Sequence, residues 1–219
     1  MKPAPIIVIE GIDRVGKTLQ AERLVRGLLE SGIQAELFST PDYGEFGGQL
    51  ISNFLHQRAI VVTSLEGVDK FPTLSSETSL ECLQICNRYA VAERIREATS
   101  RGVIAVCVRW WQSSLLYGQS DGLDEAWIRR ACSFLPVADL NILLSVDPTQ
   151  VRERASDTDR YESDLGRQLL LAGAYEKLWR SEAEANGSAW KFVDGGHSVV
   201  DVAAQVAFEV GCFLERRVP

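Results

Sequence analysis

The chain has 219 residues, of which 46% are apolar and 24% charged, and its 23 Lys and Arg against 30 Asp and Glu give a formal net charge of -7. That length suits one domain with a sizeable buried core, and the acidic balance excludes a broad nucleic-acid surface while leaving a local basic cleft free to take small phosphates. No apolar run approaches the roughly 18 residues of a membrane span and no leader is read ahead of the first strand, so a cytoplasmic chain with neither membrane nor nucleic-acid partners is expected.

Pro5–Ile9 is a short apolar run that reads as a strand. Residues 11 to 18 follow it as Gly-Ile-Asp-Arg-Val-Gly-Lys-Thr. The Gly-x-x-x-x-Gly-Lys-Thr spacing is that of a phosphate loop, whose glycines let backbone N–H groups turn inward onto phosphate oxygens. Gly11, Val15, Gly16, Lys17, Thr18 and Leu19 are therefore the expected donor-nucleotide residues. Lys17, read as a solvent-side cation, would reach the β- and γ-phosphates, and the Thr18 hydroxyl would hold Mg²⁺.

A helix over Lys17–Glu30 starts in this loop, points its positive end at the anion and stops at Ser31-Gly32. Ala35–Ser39 reads as the second strand and Gly48–Leu55 as a helix. Residues 59–78 are the least regular stretch and read as a surface loop or flap. A long helix over Ser79–Ser100 carries Leu80, Leu83, Cys86, Ala90 and Ile95 for the core or for a second copy, and Arg101-Gly102 ends it. Val103–Val108, Leu140–Val146 and Trp190–Val193 are further strands. Glu125–Phe134, Pro148–Ala155, Glu162–Ala185 and Val199–Glu215 are further helices. Strands separated by helices imply a mainly parallel sheet covered on both faces. The five cysteines have no Cys-x-x-Cys spacing, and Cys82 and Cys86, one helical turn apart, suit packing better than a disulfide framework. His56 and His197 stand alone, so no zinc site is expected.

Gly-Ile-Asp-Arg-Val-Gly-Lys-Thr-Leu-Gln-Ala is followed in order by Thr40-Pro41-Asp42-Tyr43, Asn87-Arg88-Tyr89, Val108-Arg109-Trp110, Asp159-Arg160-Tyr161-Glu162 and Val193-Asp194-Gly195. In this order and spacing the motifs resemble those of the thymidylate kinases. The resemblance implies an α/β fold of the P-loop NTPase type: one domain over 1–219, with a five-stranded parallel sheet flanked by helices. An acceptor region over about 40–90 and a lid over about 154–162 belong to it. It implies a nucleoside monophosphate kinase that uses ATP and Mg²⁺ and acts as a homodimer, with dTMP as the leading acceptor. A different or modified deoxynucleoside monophosphate is the alternative. Asp13, Arg14, Lys17, Arg109 and Arg160 are the residues expected to serve phosphoryl transfer. Asp13, Asp42, Tyr43, Gln84, Arg88, Arg109, Ser113, Ser114, Tyr117, Tyr161 and Glu162 are those expected around the acceptor. Two phosphates that must meet repel each other, and the arginines and Lys17 supply the cations that offset this.

Three residues depart from the family pattern. Val108 stands where the family has the Asp of Asp-Arg-Tyr, so neither metal-bound water nor Arg109 can be organised from that position. Asp42 and Tyr43 follow Pro41 where the family often has an arginine that clamps the acceptor phosphate, and the next arginine is Arg58. Gln84 replaces a phenylalanine that stacks on the base. It lies four residues before Arg88 and so on the same helix face. Two other classes remain. A GTPase-type switch lacks the Asp-x-x-Gly and Asn-Lys-x-Asp motifs, and a non-catalytic nucleotide-binding relative is favoured by Val108 and opposed by the intact loop.

Overall fold

The computed structural model describes residues 3–44, 46–55, 77–152, 164–186 and 190–217. Strands β1 (Ile6–Glu10), β2 (Ala35–Ser39), β3 (Ile104–Val108), β4 (Leu140–Ser145) and β5 (Trp190–Asp194) form one sheet in the order β2-β3-β1-β4-β5. Every pairing in it is parallel. β1 and β3 are buried along their whole length, which is why they read as unbroken apolar runs.

Helices α1 (Lys17–Glu30) and α8 (Val199–Glu215) cover one face of the sheet. The other is covered by α3 (Glu77–Ser100), α4 (Trp111–Ser120) and α7 (Leu165–Asn186). The shorter α2 (Phe46–Leu55) packs on α3, α5 (Glu125–Ala131) on α4, and α6 (Pro148–Arg152) on α7. Winding reverses at β1, which lies between β3 and β4, and ligands of such sheets sit beyond the carboxyl ends of the strands at that point. The segments after β1, β2, β3 and β5 meet there.

All five expected strands and the seven expected helices are present, with ends shifted by a few residues. The helix expected to run from Glu162 begins at Leu165, where Asp164 accepts from the Arg167 N–H. Residues 77 and 78 of the expected 59–78 flap belong to α3, and the rest of it, like the 154–162 lid, lies outside the described residues. Helix α4 is the omission. Its residues Gln112 to Gly118 are buried without a break, so no polar face marks a helical period in the sequence.

Helix α3 departs from its expected orientation. Leu80 and Ile95 are buried, but Cys86 and Ala90 are exposed, while Glu81, Gln84, Asn87 and Arg88 turn inward. Polar groups enter a core when they find partners there, and Asn87 and Arg88 do. The Asn87 amide oxygen accepts from the Asp42 backbone N–H at 2.8 Å, and Arg88 Nε donates to the Trp110 carbonyl at 3.0 Å.

Glu81 is the costly member of this group. Burial pushes its carboxyl up to about 7 despite the attraction of Arg88, with Asp121 adding repulsion. The folded chain therefore holds this proton more tightly than the unfolded one. Stability is fully present below the ordinary pKa of 4.5, falls as the pH rises toward about 7, and levels above it. The loss is on the order of 3 kcal/mol. Urea unfolding between pH 5 and 8 should show this decline in wild type. Glu81→Gln should flatten it and raise stability at pH 8, and an unchanged slope would reject the assignment.

Candidate active site

The loop after β1 is built on two glycines. Gly11 has φ 144°, and a Cβ there would lie 2.4 Å from the Leu144 carbonyl oxygen of the neighbouring strand. Gly16 caps α1 at φ 93°, a left-handed conformation that costs glycine little. Between them Arg14 holds φ 62°, rare for a residue with a side chain. The first turn of α1 thus presents its N–H groups at the head of the loop. Lys17 is not the solvent-side cation expected from the sequence. It is buried, and its ammonium donates to the Ile12 carbonyl, folded back over the loop it serves. Thr18 and Leu19 are exposed just beyond it.

A network of buried polar groups lies under this loop. Glu10, at the end of β1, is fully buried. It accepts from the Trp110 N–H at 2.7 Å, the Ser113 hydroxyl at 2.9 Å and the Tyr175 hydroxyl at 3.0 Å. Asp13 forms an ion pair with Arg109 and accepts from the Tyr117 hydroxyl at 2.7 Å and from Gln168 Nε2 at 3.0 Å. Burial pushes the Asp13 carboxyl up, but Arg109, Lys17 and the hydrogen bonds from Tyr117 and Gln168 outweigh it and hold it below the usual carboxylate range. Burial alone would favour the neutral form of Arg109. Tyr117, Asp13, Tyr175 and Glu10 reverse that and keep it a permanent cation.

The organisation that Val108 cannot give Arg109 comes from elsewhere. Arg109 also holds a left-handed backbone, φ 63°, pinned on both sides. Its N–H donates to the Ile9 carbonyl at 3.0 Å, and its carbonyl accepts from the Thr40 hydroxyl at 2.8 Å. Its guanidinium donates to Asp13 and to the Ser113 hydroxyl and lies over the Tyr117 ring, 5.0 Å from the centroid. A strained backbone persists where surrounding contacts over-determine it.

One cleft gathers Asp13, Tyr43, Gln84, Arg88, Arg109, Ser113 and Tyr117, closed by Pro41 and Leu55. Two expected acceptor residues do not line it. Asp42 points its carboxylate at Arg94, 2.7 Å away, and at the Gly44 N–H, so it sets no negative charge against a phosphate. Ser114, on α4, is fully buried and turned away from the cleft lining. Arg160, Tyr161 and Glu162 lie outside the described residues, as do Arg58 and Arg154. Within the cleft, Arg88 is fully buried, yet its Nη2 has no hydrogen-bond partner among the described residues. Its Nη1 contacts Gln84 Oε1 at 3.5 Å, which leaves the Gln84 amide donor for the cleft.

A second cleft on the other side of the loop is lined by Arg14, Gly16, Leu19, Gly195, His197 and Val199, among others. Sequence reasoning missed His197 as a site residue, and it missed Gln168 and Tyr175. The last two share the inner stripe of α7 with Leu171 and Leu178, at helical spacing. A polar residue interrupting an apolar stripe was the signal available.

The donor set also bears on the metal. Among the described residues no group of three or more His, Cys, Asp and Glu is placed to hold an ion. Glu10 is engaged by its three donors and Val108 is apolar. The Thr18 hydroxyl at the end of the loop is a hard oxygen beside the expected phosphates. This fits Mg²⁺, which takes few protein ligands and keeps phosphate oxygens and waters.

A family model for thymidylate kinase matches residues 9–206. The chain is 28% identical over 202 residues to the thymidylate kinase of Schizosaccharomyces pombe, covering 92% of this chain and 89% of that protein. It is 27% identical over 196 residues to the thymidylate kinase of Homo sapiens, covering 89% and 84%. Among solved structures, the thymidylate kinase of Candida albicans superposes with a TM-score of 0.77 at 21% identity, over 96% of this chain and 92% of that one.

The Glu10 network should be measurable in stability. Tyr175→Phe removes one of the three donors to a buried carboxylate and little volume. It should cost about 1–3 kcal/mol in urea unfolding with an unchanged m-value. A loss within error would mean that the Trp110 and Ser113 bonds suffice.

Proposed function

Because this chain belongs to the thymidylate kinase family, we propose that it transfers the γ-phosphoryl group of ATP to dTMP, giving dTDP and ADP. The observation that carries the reading is the placement of one buried pair. The Asp13–Arg109 pair stands between the glycine loop and a cleft whose wall holds an unpartnered buried arginine donor.

The donor phosphates lie on the N–H groups of Gly11 to Thr18, at the positive end of α1. Lys17 swings from the Ile12 carbonyl to the β- and γ-phosphates. The adenosine takes the second cleft, beside Leu19, His197 and Val199. The Thr18 hydroxyl would hold Mg²⁺, which would supply positive charge against the donor phosphates. The acceptor phosphate needs no strong base, since it is already an anion near neutral pH. One of its oxygens forms the new bond to the γ-phosphorus as the bond to the β–γ bridging oxygen breaks, and the electron pair leaves with ADP. Arg109 sits between the two phosphates as a permanent cation, and Arg14 approaches from the loop. Asp13 holds Arg109 in place and faces the acceptor's sugar and phosphate.

The base fits the far wall. An unpaired buried donor costs free energy until an acceptor reaches it. Arg88 Nη2 is such a donor, and Gln84, its oxygen turned to Arg88, offers a second N–H. Two donors suit the carbonyl edge of thymine and oppose the amino group of cytosine. Without a phenylalanine at 84 the site gives up base stacking, worth about 1 kcal/mol.

We assign the whole chain to one kinase domain, cytoplasmic and homodimeric. The outward α3 stripe of Cys82, Cys86 and Ala90, small and free of charge, serves as the contact.

Two measurements test the reading. Lys17→Ala should lower kcat by about 10²–10³-fold in a protein that remains folded by circular dichroism. Unchanged turnover would sink the kinase assignment. Native kcat/KM for dTMP should exceed that for dCMP by about tenfold or more, because an amino group there leaves the site donors unpaired. Equal values would reject the carbonyl-reading wall while leaving the kinase reading intact.

A further inference from the structure

One residue holds both the main chain and the side chain of Asp13, and it comes from the far end of the sequence. Gln168 stands in the first turn of α7, with only a few per cent of its surface exposed. Its Nε2 donates to Asp13 Oδ2 at 3.0 Å, and its Oε1 accepts from the Asp13 backbone N–H at 3.3 Å. The partners decide the orientation of the amide. A carboxylate only accepts and a backbone N–H only donates, so the reversed amide would lose both bonds. A carboxylate at 168 could not donate to Asp13, and an apolar residue could do neither.

The geometry around the pair is fully committed. Asp13 Oδ1 meets Arg109, while Oδ2 is shared by Tyr117 and Gln168. With its N–H and its carboxylate both tied to one amide, Asp13 cannot turn its side chain without leaving Gln168. The next residue toward the N-terminus fixes the helix that supplies the amide. Arg167 forms an ion pair with Asp121 at 2.8 Å and reaches the Tyr117 carbonyl, joining the first turn of α7 to α4. Tyr175, on the same stripe of α7, donates to Glu10.

We propose that Gln168 is a positioning residue for phosphoryl transfer, acting through Asp13. It fixes the carboxylate in the orientation that holds Arg109 between the two phosphates, and it ties the loop's main chain to the same point. The proposal rests on the kinase reading. It extends the reacting site to α7, which neither the phosphate loop nor the acceptor cleft includes.

The experiment is a double-mutant cycle on the full chain with ATP and dTMP. Gln168→Met keeps the length of the side chain and removes both bonds. Its kcat should fall about tenfold or more, with KM for ATP changed less than about threefold, because the lost interaction matters at the transferred group and not in donor binding. In an Asp13→Asn background the same change should lower kcat clearly less than in wild type, because the charged pair with Arg109 that Gln168 positions is already gone and only the main-chain tie is left. Gln168→Glu keeps the acceptor and removes the donor. It should repeat the fall in kcat, and it serves if the Met variant folds poorly by thermal melting. A Gln168 variant with wild-type kcat would overturn the proposal, and so would an additive loss in the Asp13→Asn background. A wild-type chain that phosphorylates no monophosphate would overturn the kinase reading itself, and this proposal with it.

Discussion

The ion pair between Asp13 and Arg109 is the contact on which the rest of the site depends. Both side chains are largely withdrawn from water, where either charge alone would be expensive. Their mutual attraction offsets that cost only because further groups complete the geometry: Tyr117 and Gln168 on the carboxylate, Ser113 and the Tyr117 ring on the guanidinium. The two residues follow β1 and β3, adjacent strands in the sheet. Sheet register therefore brings them face to face, and the pair in turn fixes the loop on which the donor phosphates would rest.

Strain is concentrated at the same place. Arg14 and Arg109 are the two non-glycine residues with positive φ among the described residues, and both belong to the site. A left-handed arginine costs roughly 1–3 kcal/mol. The return is direction: Arg109 leaves the end of β3 turned back toward β1 instead of continuing along the strand. Thr40 and Ile9 hold that turn from either side.

The helices that line the cleft beside Asp13 and Arg109 show the same exchange of stability for placement. Helix α3 buries Glu81, Gln84, Asn87 and Arg88, and α4 buries Gln112, Ser113 and Ser114. On the cleft wall, Arg88 Nη2 has no hydrogen-bond partner among the described residues. Buried polar groups left unpaired are destabilising in the free chain.

The sequence by itself determined the sheet, most of the helices and the donor loop, because these are written in local signals. Apolar runs mark the strands, glycine spacing marks the phosphate loop, and periodic apolar residues mark α1 and α8. It also brought Asp13, Arg88, Arg109, Ser113 and Tyr117 to one site by resemblance. Tertiary structure decided what local signals cannot encode. Helix α4 was invisible because burial on every side erases its period. Asp42 left the cleft because Arg94, fifty-two residues away, took its carboxylate. Lys17 folded inward onto the Ile12 carbonyl. Gln168 reached Asp13 across 155 residues of sequence because parallel strand order sets the head of α7 beside the phosphate loop. A hydrogen bond of that separation has no local sequence signature, since its two ends meet only after the sheet has formed.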